Sequence, residues 1–119
     1  MCRCKIFDST LKMLREKLFS LDYISDLFLF GSVAKGKVHE NSDLDLLVIG
    51  TKPKTIEVLM ELDKLCENDV VDVDVKYYFI DDFIECLNGG SLFLKELSTY
   101  AIDLKEMILW KTLIYFQIV

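Results

Sequence analysis

The chain has no apolar run that approaches the about 20 residues a membrane-spanning helix needs. A membrane-embedded role is therefore not expected. No signal-peptide apolar block follows Met1-Cys2-Arg3-Cys4-Lys5, so the expected setting is the cytoplasm. Positive charge is in the minority, with 14 Lys and Arg against 20 Asp and Glu and a net charge of −6. That balance argues against strong nucleic-acid binding through nonspecific attraction, although single lysines can still meet a phosphate. Cysteine is sparse: Cys2, Cys4, Cys66 and Cys86 read as free thiols in a cytosolic chain. Cys2-x-Cys4 offers too few ligands for a zinc site, and Cys66 and Cys86 fall at apolar-face positions that suit a core. No Gly-Lys-Ser/Thr triplet occurs, which excludes a P-loop. Internal repeats, low-complexity tracts and linkers are also missing, and 119 residues suit a single domain over 1–119.

What the chain does have is apolar material, 52% of its residues. Its mean hydropathy is positive, a sign that some apolar surface is covered by a partner. Leu11, Leu14 and Leu18 recur at helical spacing and predict a helix over 8–20. Leu27–Phe30 and Leu44–Ile49 are short continuous apolar runs, ended by Gly31 and Gly50, that suit buried strands. Between them, 32–42 reads as a polar loop with one helical turn opening at Ser32. Pro53 stands where a helix can begin, and Ile56, Leu59, Met60 and Cys66 carry an apolar stripe to about Asn68. Val70–Phe79 is strand-like, with Val71, Val73 and Val75 alternating with Asp72, Asp74 and Lys76. Asp81 is placed to cap a short helix through Leu87, which Gly89-Gly90 breaks. Ser91 is placed to cap the next, with Leu92, Leu94 and Leu97 facing inward. From Ile102 to Val119 the tail is apolar and fits helix or strand; Trp110, Tyr115 and Phe116 read as core or interface. The fold class expected is α/β (α+β), a mixed sheet of three or more strands flanked by helices.

The chemistry concentrates in Leu29-Phe30-Gly31-Ser32-Val33-Ala34-Lys35-Gly36 and Asn41-Ser42-Asp43-Leu44-Asp45-Leu46-Leu47-Val48-Ile49. Asp43 and Asp45 lie two apart at a strand, so both side chains share one face. Two carboxylates so close repel unless a proton or cation intervenes, and magnesium, a hard ion that takes carboxylate oxygens, resolves the conflict. Asp72 and Asp74 repeat the spacing on a later strand. If the two strands are neighbours, three or four carboxylates converge as two-metal phosphoryl transfer requires. A solvated edge-strand face is the plainer account of Asp72 and Asp74. The same plainness applies to Asp43 as a turn residue, but not to Asp45 inside an apolar strand, where an unpaired charge is costly. Gly31 lets backbone approach a ligand, and Ser32 offers a hydroxyl and backbone N–H groups suited to phosphate oxygens. Lys35 and Lys37 add positive charge nearby, or are solvated loop lysines; His39 reads as an exposed loop residue.

This pattern resembles the minimal nucleotidyltransferases of the DNA polymerase β superfamily: apolar strand, Gly-Ser, about ten residues, then Asp-x-Asp on a second strand. The flanking Ala34-Lys35-Gly36 and Asn41-Ser42 are similar too, although the family more often has Arg where Lys35 stands. Asp74-Val75 running to Asp81-Asp82-Phe83 fits the family's third carboxylate better than Asp72 does, and Gly90-Ser91 with Phe93-Leu94-Lys95-Glu96-Leu97 extends the likeness over nearly the whole chain. The resemblance implies a polymerase-β-like fold, with Gly31, Ser32, Lys35 and Ser42 at the nucleotide and Asp43, Asp45 and Asp74 holding two Mg2+ ions. It also implies transfer of a nucleoside monophosphate, AMP from ATP, to an acceptor hydroxyl. Minimal members resemble the antitoxin half of toxin–antitoxin pairs, where the acceptor is a small helical HEPN-type ribonuclease toxin. The apolar tail from Met107 to Val119 suits such an interface or a homodimer. Two other functions stay open on the sequence: the same transfer to a small molecule, and a noncatalytic nucleotide- or partner-binding module.

Overall fold

A computed structural model describes residues 3–38, 42–106 and 108–109. The first helix, α1, runs Arg3–Phe19, longer at its start than its leucines indicate. Next come β1 (Ile24–Phe30), a single helical turn α2 (Gly31–Ala34) and β2 (Leu44–Gly50). Helix α3 (Ile56–Cys66) leads into β3 (Val73–Phe79), followed directly by α4 (Ile80–Asn88) and α5 (Leu92–Leu97). Two short strands, β4 (Ile102–Asp103) and β5 (Ile108–Leu109), close the described chain. His39, Trp110, Tyr115, Phe116 and most of the apolar tail from 107 to 119 lie outside the described residues.

The five strands form one mixed sheet in the order β3-β2-β1-β4-β5. β1 and β2 are antiparallel, with Phe30 opposite Asp45. β2 and β3 are parallel, which demands a crossover; α3 supplies it. The register of that parallel pair sets Asp45 opposite Asp74 and Leu44 opposite Val73. β4 joins the free side of β1, with Phe28 opposite Asp103.

Helices cover both faces, which is why β1 and β2 read as unbroken apolar runs. On one side Leu44, Leu46 and Val48 pack with Leu14 and Leu18 of α1 and Val58, Leu62 and Cys66 of α3. On the other, Leu47 and Ile49 pack with Phe28, Phe30, Phe83 of α4, and Leu94 and Leu97 of α5. Cys66 is buried and Cys86 half-buried against the second cluster; both are free thiols.

Three local expectations are corrected. The inner face of α3 is Val58, Leu62 and Cys66, whereas Ile56 and Met60 are 72% and 66% exposed. The helix opens at Thr55, whose side chain accepts from the Val58 N–H at 3.2 Å, and of the expected stripe Cys66 is buried and Leu59 packs against the core. The residue that caps α4 is Phe79, without a side-chain hydrogen bond; Asp81 lies inside the first turn, where its charge favours the helix dipole. Ser91 does cap α5, accepting from the Leu94 N–H, and Leu94 and Leu97 are buried, but Leu92 points to solvent at 82% exposure.

Candidate active site

The candidate site forms where β1 ends and β2 and β3 begin. β1 runs straight into the Gly31-Ser32 turn. Because Phe30 is paired with Asp45, the turn is delivered against the Asp45 side chain. The approach is close: a Cβ built on Gly31 would collide with the Asp45 carboxylate, lying 2.9 Å from its Cγ. Gly31 also sits at φ +77°, a region that other residues enter only with strain. Two independent constraints therefore reserve this position for glycine. Ser32, half-buried, follows as the second residue of α2.

Asp45 stands opposite Asp74 across the β2–β3 pair, and Asp43 immediately precedes β2. Asp45 is half-buried, whereas Asp43 and Asp74 are exposed. Burial pushes the Asp45 carboxyl above the ordinary carboxylate range, the charges of Asp74 and Asp43 push it further, and Lys76 pulls the other way. The site thus carries more negative charge than its own cations balance. Asp72 is exposed on the chain leading into β3, where its carbonyl accepts from Leu44 N at 2.9 Å. It is not among the charges that act on Asp45, whereas Asp74 is. Register and electrostatics together favour Asp74 as the partner of Asp45.

Among the described residues, no three or more His, Cys, Asp or Glu side chains are already gathered as a metal cage. The donor set nevertheless fits a hard divalent ion: carboxylate oxygens on neighbouring strands, with Asp45 held above the ordinary carboxylate range first by burial and then by Asp74 and Asp43. A cleft of about 860 Å³ beside the start of β3 is lined by Asp63, Glu67, Asp69 and Asp72, and none of Gly31, Ser32, Asp43, Asp45 or Asp74 lines it.

The remaining expected ligands are placed as follows. Lys35, the C-cap of α2, is exposed, and its ammonium lies 4.5 Å from the centre of the Tyr100 ring. Lys37 is exposed as well. Ser42 is buried, next to Asp43 in the chain. Two residues that sequence reasoning did not single out for the site belong to this neighbourhood. Tyr100, reached over 69 residues of chain, accepts a hydrogen bond from Gly31 N at 3.2 Å, a contact no local pattern announces. Lys76 follows Asp74 by two on β3, so strand alternation alone would have put it on the same face. It lies 5.9 Å from the ring centre of Phe93, which in turn meets Phe30 edge-on at 5.7 Å.

A mixed sheet covered on both faces, with a glycine-serine turn set against carboxylates on a parallel strand pair, is the arrangement the sequence resemblance implies. The model of the nucleotidyltransferase domain family matches residues 11–109, and the chain belongs to that family. No curated protein matches it significantly. Among solved structures, the chain is similar to a toxin-antitoxin with AMP-PNP, with a TM-score of 0.58 and 24% identity over 90% of this chain and 86% of the other. It is also similar to a mutant of the toxin-antitoxin MntA-HpeT, with a TM-score of 0.53 and 24% identity over 92% of this chain and 86% of that one. At this identity the likeness establishes the fold.

Proposed function

We propose that residues 1–119 act as one Mg2+-dependent nucleotidyltransferase domain that moves AMP from ATP to a hydroxyl of a partner protein, a HEPN-type toxin that it silences. The observation that carries this reading is the contact of Gly31 with Asp45, itself opposite Asp74 on the neighbouring parallel strand. That arrangement sets a glycine-serine backbone turn directly against a focus of negative charge that calls for a cation. The family match supports nucleotidyl transfer. The toxin-antitoxin neighbours, one of them with AMP-PNP, support the choice of an adenine nucleotide and a toxin partner.

In this reading the Ser32 hydroxyl and the turn's backbone, with Ser42 nearby, hold phosphate oxygens, while Lys35 offsets their charge. Gly31, lacking a Cβ, keeps the triphosphate and the carboxylates within reach of one another. Asp43, Asp45 and Asp74 hold the magnesium, which when bound neutralises the triphosphate and acidifies the acceptor hydroxyl. Asp74, exposed and so open to an incoming acceptor, takes the hydroxyl proton. The acceptor oxygen then bonds to the α-phosphorus in line with the breaking bond, and pyrophosphate leaves.

The test is incubation with α-labelled ATP and magnesium, with and without the product of the adjacent gene as the candidate toxin. Label on the toxin, lost on Asp45→Asn by at least about a hundredfold, is the expected result. Full silencing of the toxin by Asp45→Asn would overturn transfer in favour of steric blocking. Label on a small molecule alone would overturn the protein acceptor.

A further inference from the structure

We propose that Tyr100 is a positioning residue of the nucleotide turn, holding Lys35 and Gly31 in place before the triphosphate arrives; this rests on the nucleotidyl-transfer reading above. Tyr100 is firmly mounted. Its own N–H and that of Ala101 both donate to the Leu97 carbonyl, at 3.1 and 2.8 Å, and Leu97 and Ala101 are buried in the core beneath the site. From that base the side chain reaches both ends of the turn. Its hydroxyl accepts from Gly31 N at 3.2 Å, and its ring face carries the Lys35 ammonium at 4.5 Å. Gly31 opens α2 and Lys35 closes it, so one side chain clamps the whole element.

The clamp answers a specific need. α2 is a single turn of four residues, too short to be stable alone. Lys35 is exposed, and a free lysine side chain has rotamer entropy to lose on ligation. Resting on an aromatic face at an exposed site is worth about 0.5–1 kcal/mol. It removes part of that loss in advance and keeps the cation beside the turn rather than among the site's aspartates. Tyr100 therefore acts on nucleotide affinity through Lys35, and on turn geometry through the Gly31 amide.

The experiment measures KM and kcat for Mg·ATP, with affinity by calorimetry, in Tyr100→Leu, Tyr100→Phe, Lys35→Gln and the Tyr100→Leu/Lys35→Gln double variant. Tyr100→Leu is expected to raise KM about two- to fivefold with kcat within about twofold, the range that one exposed cation–π contact supports. Lys35→Gln should raise it at least as much, and the double variant should be no worse than Lys35→Gln by more than about twofold. Tyr100→Phe, which keeps the ring but loses the hydroxyl that accepts from Gly31 N, should restore the part of the affinity that runs through Lys35. A KM unchanged in Tyr100→Leu, or single effects that simply multiply in the double variant, would overturn the proposal. If Tyr100→Leu does not fold, the wild-type protein decides by NMR: Lys35 side-chain protons shifted upfield by the ring support the clamp, and unshifted ones refute it. A wild type that neither binds nor uses ATP would instead refute the underlying function.

Discussion

Gly31 shows how far one residue can be pinned by its surroundings. Its φ of +77° and the Asp45 carboxylate at its Cα each exclude a side chain. Gly36 has a similar φ of +80° but nothing within 4 Å of where a Cβ would lie. Alanine at Gly36 should cost about 1–2 kcal/mol in urea unfolding, the strain of a left-handed residue, and alanine at Gly31 more, because the clash with Asp45 adds to that strain. Only Gly31→Ala should also displace Asp45 and lower the transfer rate by about a hundredfold, with Gly36→Ala within about twofold. Equal rates for the two would refute the contact. Asp45 gives a second prediction, on pH. Its carboxyl is raised by burial first and then by Asp74 and Asp43. The folded chain therefore holds that proton more tightly than the unfolded one. The stability gained this way is complete below the ordinary value near 4 and is lost as pH rises through the raised one. Asp45→Asn, which never ionises, should thus melt at a higher temperature than wild type at pH 7, and the gap should close towards pH 4. A lower melting temperature at pH 7 would mean that the charge is already compensated. These aspartates and the Gly-Ser turn were legible because a charge inside an apolar strand is costly unless a ligand meets it, and a glycine at the strand's end leaves room for that ligand. Tyr100 was not, since its link to Gly31 arises only when α5 is folded back across the sheet.

Helix α3 marks the limit of periodicity as a guide to an element's orientation. Two apolar sets run along it at a spacing of four: Ile56 and Met60, and Val58, Leu62 and Cys66. Periodicity alone favours neither. The choice is made by packing against α1 and β2, which buries Leu62 fully and leaves Met60 outside. Leu62→Ala should cost about 2–5 kcal/mol of unfolding free energy, and Met60→Ala no more than about 0.5. The reverse order in chemical denaturation would restore the stripe read from the sequence. Strands behaved differently because burial on both faces leaves no phase to choose. β1 and β2 were found from their leucines and valines, and the alternation of Asp74 with Val73 and Val75 gave β3 its face. The parallel register that sets Asp45 opposite Asp74 depended on the crossover through α3, for which the sequence holds only the permissive length.

At the scale of the whole molecule, charge sets a condition on ligand binding. The chain carries −6, and the aspartates gather at the end of the sheet where the turn opens. A bare triphosphate approaching that end meets like charge from Asp43, Asp45 and Asp74 and help only from lysines such as Lys35 and Lys76. Binding of nucleotide and of divalent cation should therefore be coupled, each neutralising what repels the other. Scanning thermal unfolding should show this directly. ATP with excess EDTA should leave the melting temperature nearly unchanged, and magnesium alone should raise it slightly by quenching the aspartate cluster. The two together should stabilise the fold by about 2.7 kcal/mol at a hundredfold excess over Kd. Asp43→Asn with Asp45→Asn should weaken that synergy and let metal-free ATP bind better than it binds wild type, because only Asp74 of the three still repels while the turn remains. If ATP instead stabilised the wild-type chain equally with and without the cation, the aspartates would not be the seat of its metal dependence, and the lysines alone would account for nucleotide binding.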